Sequence, residues 1–180
     1  MKMHASAVLA VLALLVPAAA LADEAPAEGA DKPASADGKL SYPRVGGHVG
    51  VAVPYFEAAK QTSVVGQHKF LTIANPVGVT AKLSGKWAID FEFIVLNSVL
   101  AKSPTQLVID PGVVYNWGPL NTGLRVAYQV GESGNVGAIP LINKGFSLGD
   151  VTWFVEGAFP TFVKDGAVSF NAVLHTGVAF

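Results

Sequence analysis

From Arg44 onward the chain repeats one pattern, with apolar side chains at every second position for about ten residues and then a short polar break. A period of two puts successive side chains on opposite faces of a strand. The pattern predicts eight strands: Gly46 to Phe56, Phe70 to Lys82, Trp87 to Leu96, Gln106 to Trp117, Gly123 to Val130, Val136 to Asn143, Val151 to Val163 and Ala167 to Phe180. The breaks between them are rich in Gly, Asn, Ser, Asp and Lys, residues that favour turns. An even number of strands, short links and regular spacing indicate an antiparallel up-and-down barrel.

The two faces differ in kind. In the third strand Trp87, Ile89, Phe91, Phe93 and Val95 oppose Ala88, Asp90, Glu92 and Ile94. In the fourth, Leu107, Ile109, Val113, Tyr115 and Trp117 oppose Val108, Asp110, Gly112, Val114 and Asn116. Leu124, Val126, Tyr128 and Val130 oppose Arg125, Ala127 and Gln129, and Val151, Trp153, Val155, Phe159 and Val163 oppose Thr152, Phe154, Glu156, Ala158 and Phe162. In the first strand Val49, Val51, Val53 and Tyr55 oppose His48, Gly50, Ala52 and Pro54. Every mid-strand charge falls on the face with the small residues. The sixth strand has no clean polar face, because Ile139 and Leu141 alternate with Ala138, Pro140 and Ile142. Pro76, Pro111 and Pro140 lie inside strands and lack the N–H a ladder needs, so bulges or edges are expected there.

The last stretch ends the chain on an aromatic residue, with Val168, Phe170, Ala172, Leu174, Thr176, Val178 and Phe180 on one face. It resembles the closing strand of bacterial outer-membrane β-barrels, a family whose last strand typically ends in Phe after alternating apolar residues. Thr176 departs from that pattern. The resemblance is one of pattern and implies an eight-stranded transmembrane β-barrel in the outer membrane of a Gram-negative bacterium. It also implies Sec-type export and recognition of the C-terminal strand by the barrel-assembly machinery. In small barrels of this kind the recurrent roles are envelope integrity, surface contact and, rarely, a narrow pore.

Parity does not say which face is outside. A soluble periplasmic lipocalin-like barrel would turn the apolar face inward around an apolar ligand and dress its exterior in charge. Here the polar face is mostly small residues with a few opposed charges, which suits a narrow lumen. Lys60, Lys69, Lys86, Lys102, Lys144 and Lys164 fall in or beside the breaks, as strands crossing lipid require. With Phe180 at the periplasmic rim, Trp87, Trp117 and Trp153 reach the same rim with outward parity, forming an interfacial aromatic girdle.

Composition adds the segment before the strands. Residues 1–22 have Lys2 in a short n-region, an apolar run from Ala5 to Val16, and Ala20-Leu21-Ala22 as a small-x-small cleavage site, the marks of a signal peptide. The rival is an uncleaved anchor, against which Pro17 and the cleavage site weigh. Residues 23–43 are an Ala-, Pro- and acid-rich leader too poor in apolar surface to fold. Residues 44–180 are the barrel. A formal net charge of −1 leaves no basic field for nucleic acid, and the absence of Cys excludes thiolate chemistry.

No catalytic motif is present, nor the His/Ser or Asp/His sets of outer-membrane acyltransferases, deacylases and omptin proteases, so an enzyme is not expected. Parity instead gathers His48, Asp90, Glu92, Asp110, Arg125, Gln129, Glu156 and His175 into a polar lumen network. Glu156 falls opposite His175, with His48 at a similar height after closure. Two imidazoles and a carboxylate can hold a metal, but an ordinary hydrogen-bonded pair explains them, so neither metal nor cofactor is expected. Glu92 falls near Asp110, an acidic pair that needs Arg125 or shared protons. The expected result is a lumen plugged by polar side chains, with outer-membrane lipid as the surrounding partner.

Overall fold

The structure is a computed structural model that describes residues 41–60, 62–68, 70–131 and 135–180. The expected signal peptide and most of the expected leader lie outside the described residues. The strands are β1 (Arg44–Ala58), β2 (Thr62–Val64), β3 (Thr72–Lys82), β4 (Trp87–Ser98), β5 (Gln106–Asn116), β6 (Asn121–Val130), β7 (Val136–Leu148), β8 (Val151–Ala158), β9 (Thr161–Lys164) and β10 (Ala167–Ala179). Neighbours pair antiparallel in the order β2-β1-β3-β4-β5-β6-β7-β8-β10-β9, and β10 returns to β1 to close the sheet. The result is a closed eight-strand barrel.

Two of the ten segments do not add barrel positions. β8 and β9 are one position: β7 and β10 pair with both in unbroken register, from Leu141↔Ala158 to Ala138↔Thr161 and from Val173↔Ala158 to Phe170↔Thr161. The ladder lapses at Pro160, which has no N–H, yet Phe159 N donates to Pro140 O (2.9 Å) and Asn171 N to Pro160 O (2.8 Å). β2 folds back on the end of β1, pairing Thr62↔Ala58 and Val64↔Phe56. At the end of β9 the chain reverses through Asp165-Gly166, both at positive φ (50° and 76°), as a two-residue hairpin turn requires.

The pairing also sets the barrel's shape. From Arg44 the partners run through Lys82, Ala88, Val114, Gly123, Leu141, Ala158 and Val173 and arrive back on β1 at Pro54, ten residues beyond the start. With a rise of about 3.3 Å per residue and strands about 4.8 Å apart, that stagger tilts the strands by roughly 40° and gives a backbone radius of roughly 8 Å. Side chains can span such a lumen.

Four expectations change. The prolines hide no bulge: register runs unshifted through Pro76, Pro111 and Pro140, because each loses one N–H without adding a residue. A shift falls instead between Pro54 and Phe56, so Tyr55 and Phe56 both face outward and Glu57 turns inward. β7 extends to Leu148, well past Asn143, and β6 starts at Asn121. The stretch 151–163 is broken by Pro160.

Outward positions are apolar and open: Val49, Val51, Val77, Ile89, Phe93, Val113, Val126 and Leu174 are all exposed. The lumen has two storeys. A polar one lies toward the Phe180 rim, and an apolar cluster of Val108, Ala127, Ile139, Leu141 and Ala158 packs beside and above it. β7 lacks a polar face because its inward Ile139 and Leu141 belong to that apolar storey.

Candidate functional site

The polar storey is built around Arg125 on β6. Its Nε and Nη2 donate to Asp90 Oδ2 (2.9 and 2.6 Å), Nη2 lies 2.9 Å from Glu92 Oε1, and Nη1 donates to Glu156 Oε1 (3.1 Å). Asp90 and Glu92 share a face of β4 two residues apart, and Glu156 comes from β8. One guanidinium therefore bridges carboxylates on two other strands across the lumen.

Other side chains add to these contacts. His48 Nε2 lies 2.8 Å from Glu92 Oε1, and Thr80 Oγ1 donates to Asp90 Oδ1 (2.6 Å). His175 Nδ1 lies 3.2 Å from Glu156 Oε1, and Asn143 Nδ2 donates to Glu156 Oε2 (3.2 Å). The ring of Phe154 stands edge-on to both His48 and His175, with centroids 6.0 and 4.9 Å away.

Glycines on adjacent strands make the room. A Cβ on Gly78 would clash with the edge of the His48 ring, on Gly50 with the edge of the His175 ring, on Gly112 with Arg125 Cγ, and on Gly177 with the Phe154 ring. Each of these four lumen side chains thus lies over a glycine of its neighbour strand. The radius derived above would not accept a second layer of side chains there.

Of the eight lumen residues expected from parity, the structure brings six into this network: His48, Asp90, Glu92, Arg125, Glu156 and His175. Gln129 is buried but sits higher, paired with Asn135 Nδ2. Asp110 lies directly across from Glu92, yet neither of its carboxylate oxygens has a hydrogen-bond partner. Thr80 and Asn143 were missed. Thr80 has the same inward parity as Gly78, a signal present in the sequence, whereas Asn143 stands at the end of the predicted sixth strand.

His48, Asp90 and Glu92 form one set of metal-type donors, and Glu92, Glu156 and His175 another, each within 4.8 Å. The guanidinium, 2.6–3.1 Å from their carboxylates, already occupies the cation seat of both. An ion would have to displace it. Among the described residues the arrangement is an ion-pair network centred on Arg125.

Above the network the lumen opens into a cavity of ≈ 260 Å³ that reaches the rim opposite Phe180. Ile94, Val108, Ile139, Phe162 and Val173 wall it, and Asp110, Arg125, Glu92 and Glu156 lie at its floor. The expected full plug therefore closes one storey and leaves the other open.

At the opposite rim the aromatic residues share a level. Trp87 stands against Tyr115 (4.8 Å between centroids), Tyr115 against Trp117 (4.6 Å), and Phe146 stacks on Trp153 (5.0 Å). Trp117 Nε1 donates to Thr122 Oγ1 (2.9 Å) and Trp153 Nε1 to Thr176 Oγ1 (2.8 Å). Phe180 exchanges backbone hydrogen bonds with Gly47 (2.9 Å each way), the last rung of the closing seam. Phe146 lies beyond Asn143, the end of the predicted sixth strand, on the part of β7 that continues to Leu148.

No protein-family model matches the chain, and no curated protein matches it. Among solved structures it is similar to one described as "De novo design of transmembrane beta-barrels", at 15% identity and a TM-score of 0.47, covering 78% of this chain and 97% of that one.

Proposed function

We propose that the chain is an integral outer-membrane β-barrel with a structural or surface-contact role in a Gram-negative envelope, closed to free permeation by the Arg125 network. The observation that carries this is the inversion of polarity. Large apolar side chains are exposed around the outside, while Asp90, Glu92, Asp110, Arg125 and Glu156 are buried inside. A soluble barrel with that exterior would expose far more apolar surface than monomers in water tolerate, whereas lipid requires it. Closure leaves no free strand edge, and most strands, such as β3 (11 residues) and β4 (12 residues), are as long as a tilted crossing needs. The aromatic rim supports an interfacial position for the Phe180 end.

Outer-membrane fractionation tests this. The protein is expected to remain with the outer membrane after the inner membrane is extracted with detergent, and to change gel mobility on boiling as a closed barrel opens. Recovery in the soluble periplasmic fraction would favour a ligand carrier.

Closure of the lumen is tested separately. Arg125 bridges β4 and β8 through paired charges across the lumen, so the purified protein is expected to conduct little or not at all in planar bilayers. Large, stable single-channel steps would instead support a pore.

A further inference from the structure

We propose that the cavity above the Arg125 network is a binding site for a small organic cation, an ammonium group on an apolar body, with Asp110 as its counter-ion. This inference rests on the lumen alone and not on where the barrel resides.

The first observation is an unmet acceptor. Asp110 is 0% exposed, is among the residues around the cavity, and neither of its carboxylate oxygens receives a hydrogen bond. Asp90, Glu92 and Glu156, by contrast, each have partners among Arg125, His48, Thr80, Asn143 and His175. A buried carboxylate without a donor is strongly disfavoured, and Glu92 directly across the strand pair adds a like charge.

The second is the charge of the cluster. Asp90, Glu92, Asp110 and Glu156 face one guanidinium and the imidazoles of His48 and His175. With all four carboxylates ionised and both imidazoles protonated, one negative charge is left over. Asp110 is the carboxylate that no donor reaches, so a cation beside it would balance the set.

The third is the space beside it. An apolar cavity of about 150 Å³ accommodates benzene, and this one is larger, at ≈ 260 Å³, with Ile94, Val108, Ile139, Phe162 and Val173 on its walls. A bare metal ion or water would leave those walls without contacts. An aryl or alkyl body carrying an ammonium group fills the walls and places N–H donors on Asp110, and such charge-assisted bonds are the strong ones.

The probes are 2-phenylethylamine, its alcohol 2-phenylethanol and its anionic counterpart 3-phenylpropionate. Each is titrated calorimetrically against the purified full chain in a neutral detergent. The amine is expected to bind about tenfold or more tightly than the alcohol, with no measurable binding of the anion. In Asp110→Asn the amine and alcohol should bind alike. Val108→Phe, which fills the cavity and keeps the carboxylate, should lose both. Strand circular dichroism verifies that each variant is folded, and the amine-to-alcohol ratio of the native protein stands even if a variant does not fold.

Equal binding of amine and alcohol to the native protein would overturn the proposal. So would an amine preference that survives Asp110→Asn, or no binding up to about 10 mM. In the last case, a more stable Asp110→Asn protein would show that the carboxyl simply holds a proton.

Discussion

Arg125→Ala is expected to lower the stability of the barrel by about 3–5 kcal/mol, the usual cost of leaving buried charges without their partner. The loss is large because one guanidinium serves Asp90, Glu92 and Glu156 together, at 2.6 to 3.1 Å, with all four side chains buried. The check is reversible urea unfolding in detergent or lipid vesicles. The double variant Arg125→Ala/Glu156→Gln should cost less than the sum of the two single changes, because the residues share one network. Permeability should change less than stability, since the glycine-packed rings of His48, Phe154 and His175 still occupy the same level. A single variant within about 1 kcal/mol of the native protein, well below the cost of breaking a buried pair, would show that the network does not hold the strands together.

Phe180→Asp is expected to reduce the amount of assembled protein in the outer membrane several-fold while leaving refolding of the purified chain nearly intact. The two outcomes separate because the backbone of residue 180 makes both hydrogen bonds to Gly47, which the substitution preserves. Asp also costs little near the rim of a membrane: even Arg or Lys costs only about 0 to 1 kcal/mol there, against about 2 to 4 kcal/mol at the midplane. Loss in cells therefore reports recognition of the terminal residue, as expected of a partner that reads the last strand. Deleting Phe180 removes the seam's last rung as well and should impair refolding too. Quantitative blotting of membrane fractions beside refolding yields decides the matter, and normal membrane levels of Phe180→Asp would contradict the proposed recognition.

The network bears on how the barrel is specified as well as on its stability. Side chains over glycines fix which strands are neighbours, because a slip of one residue would turn His48, Arg125 and Glu156 toward the outside. At such a position the same ion pairs that stabilise the folded barrel also penalise every competing register.

How much was legible in the chain itself depends on whether the signal was local. Alternation is a property of successive residues, so it was enough to establish the eight barrel positions, the two faces, and the inward set of His48, Asp90, Glu92, Arg125, Glu156 and His175. The opposition of Glu156 to His175 and of Glu92 to Asp110 followed from hairpins with short turns, where connectivity fixes register. The terminal aromatic and the outward tryptophans were equally open to reading.

What only the tertiary structure decided concerns distances across the lumen and the closing seam. The stagger of ten residues from Arg44 to Pro54 arises from pairing around the whole ring, and it sets the heights at which inward side chains meet. Arg125 consequently reaches Asp90, 35 positions away in sequence, while Gln129 rises out of the network toward Asn135. The outward bulge at Tyr55 follows Pro54 in the seam against β10, whereas Pro76, Pro111 and Pro140 sit in unshifted ladders, so a proline in the sequence does not by itself say where the register shifts. Asp110 shows the limit most clearly: parity places it inside, but whether any donor reaches a buried carboxylate depends on every strand around it at once.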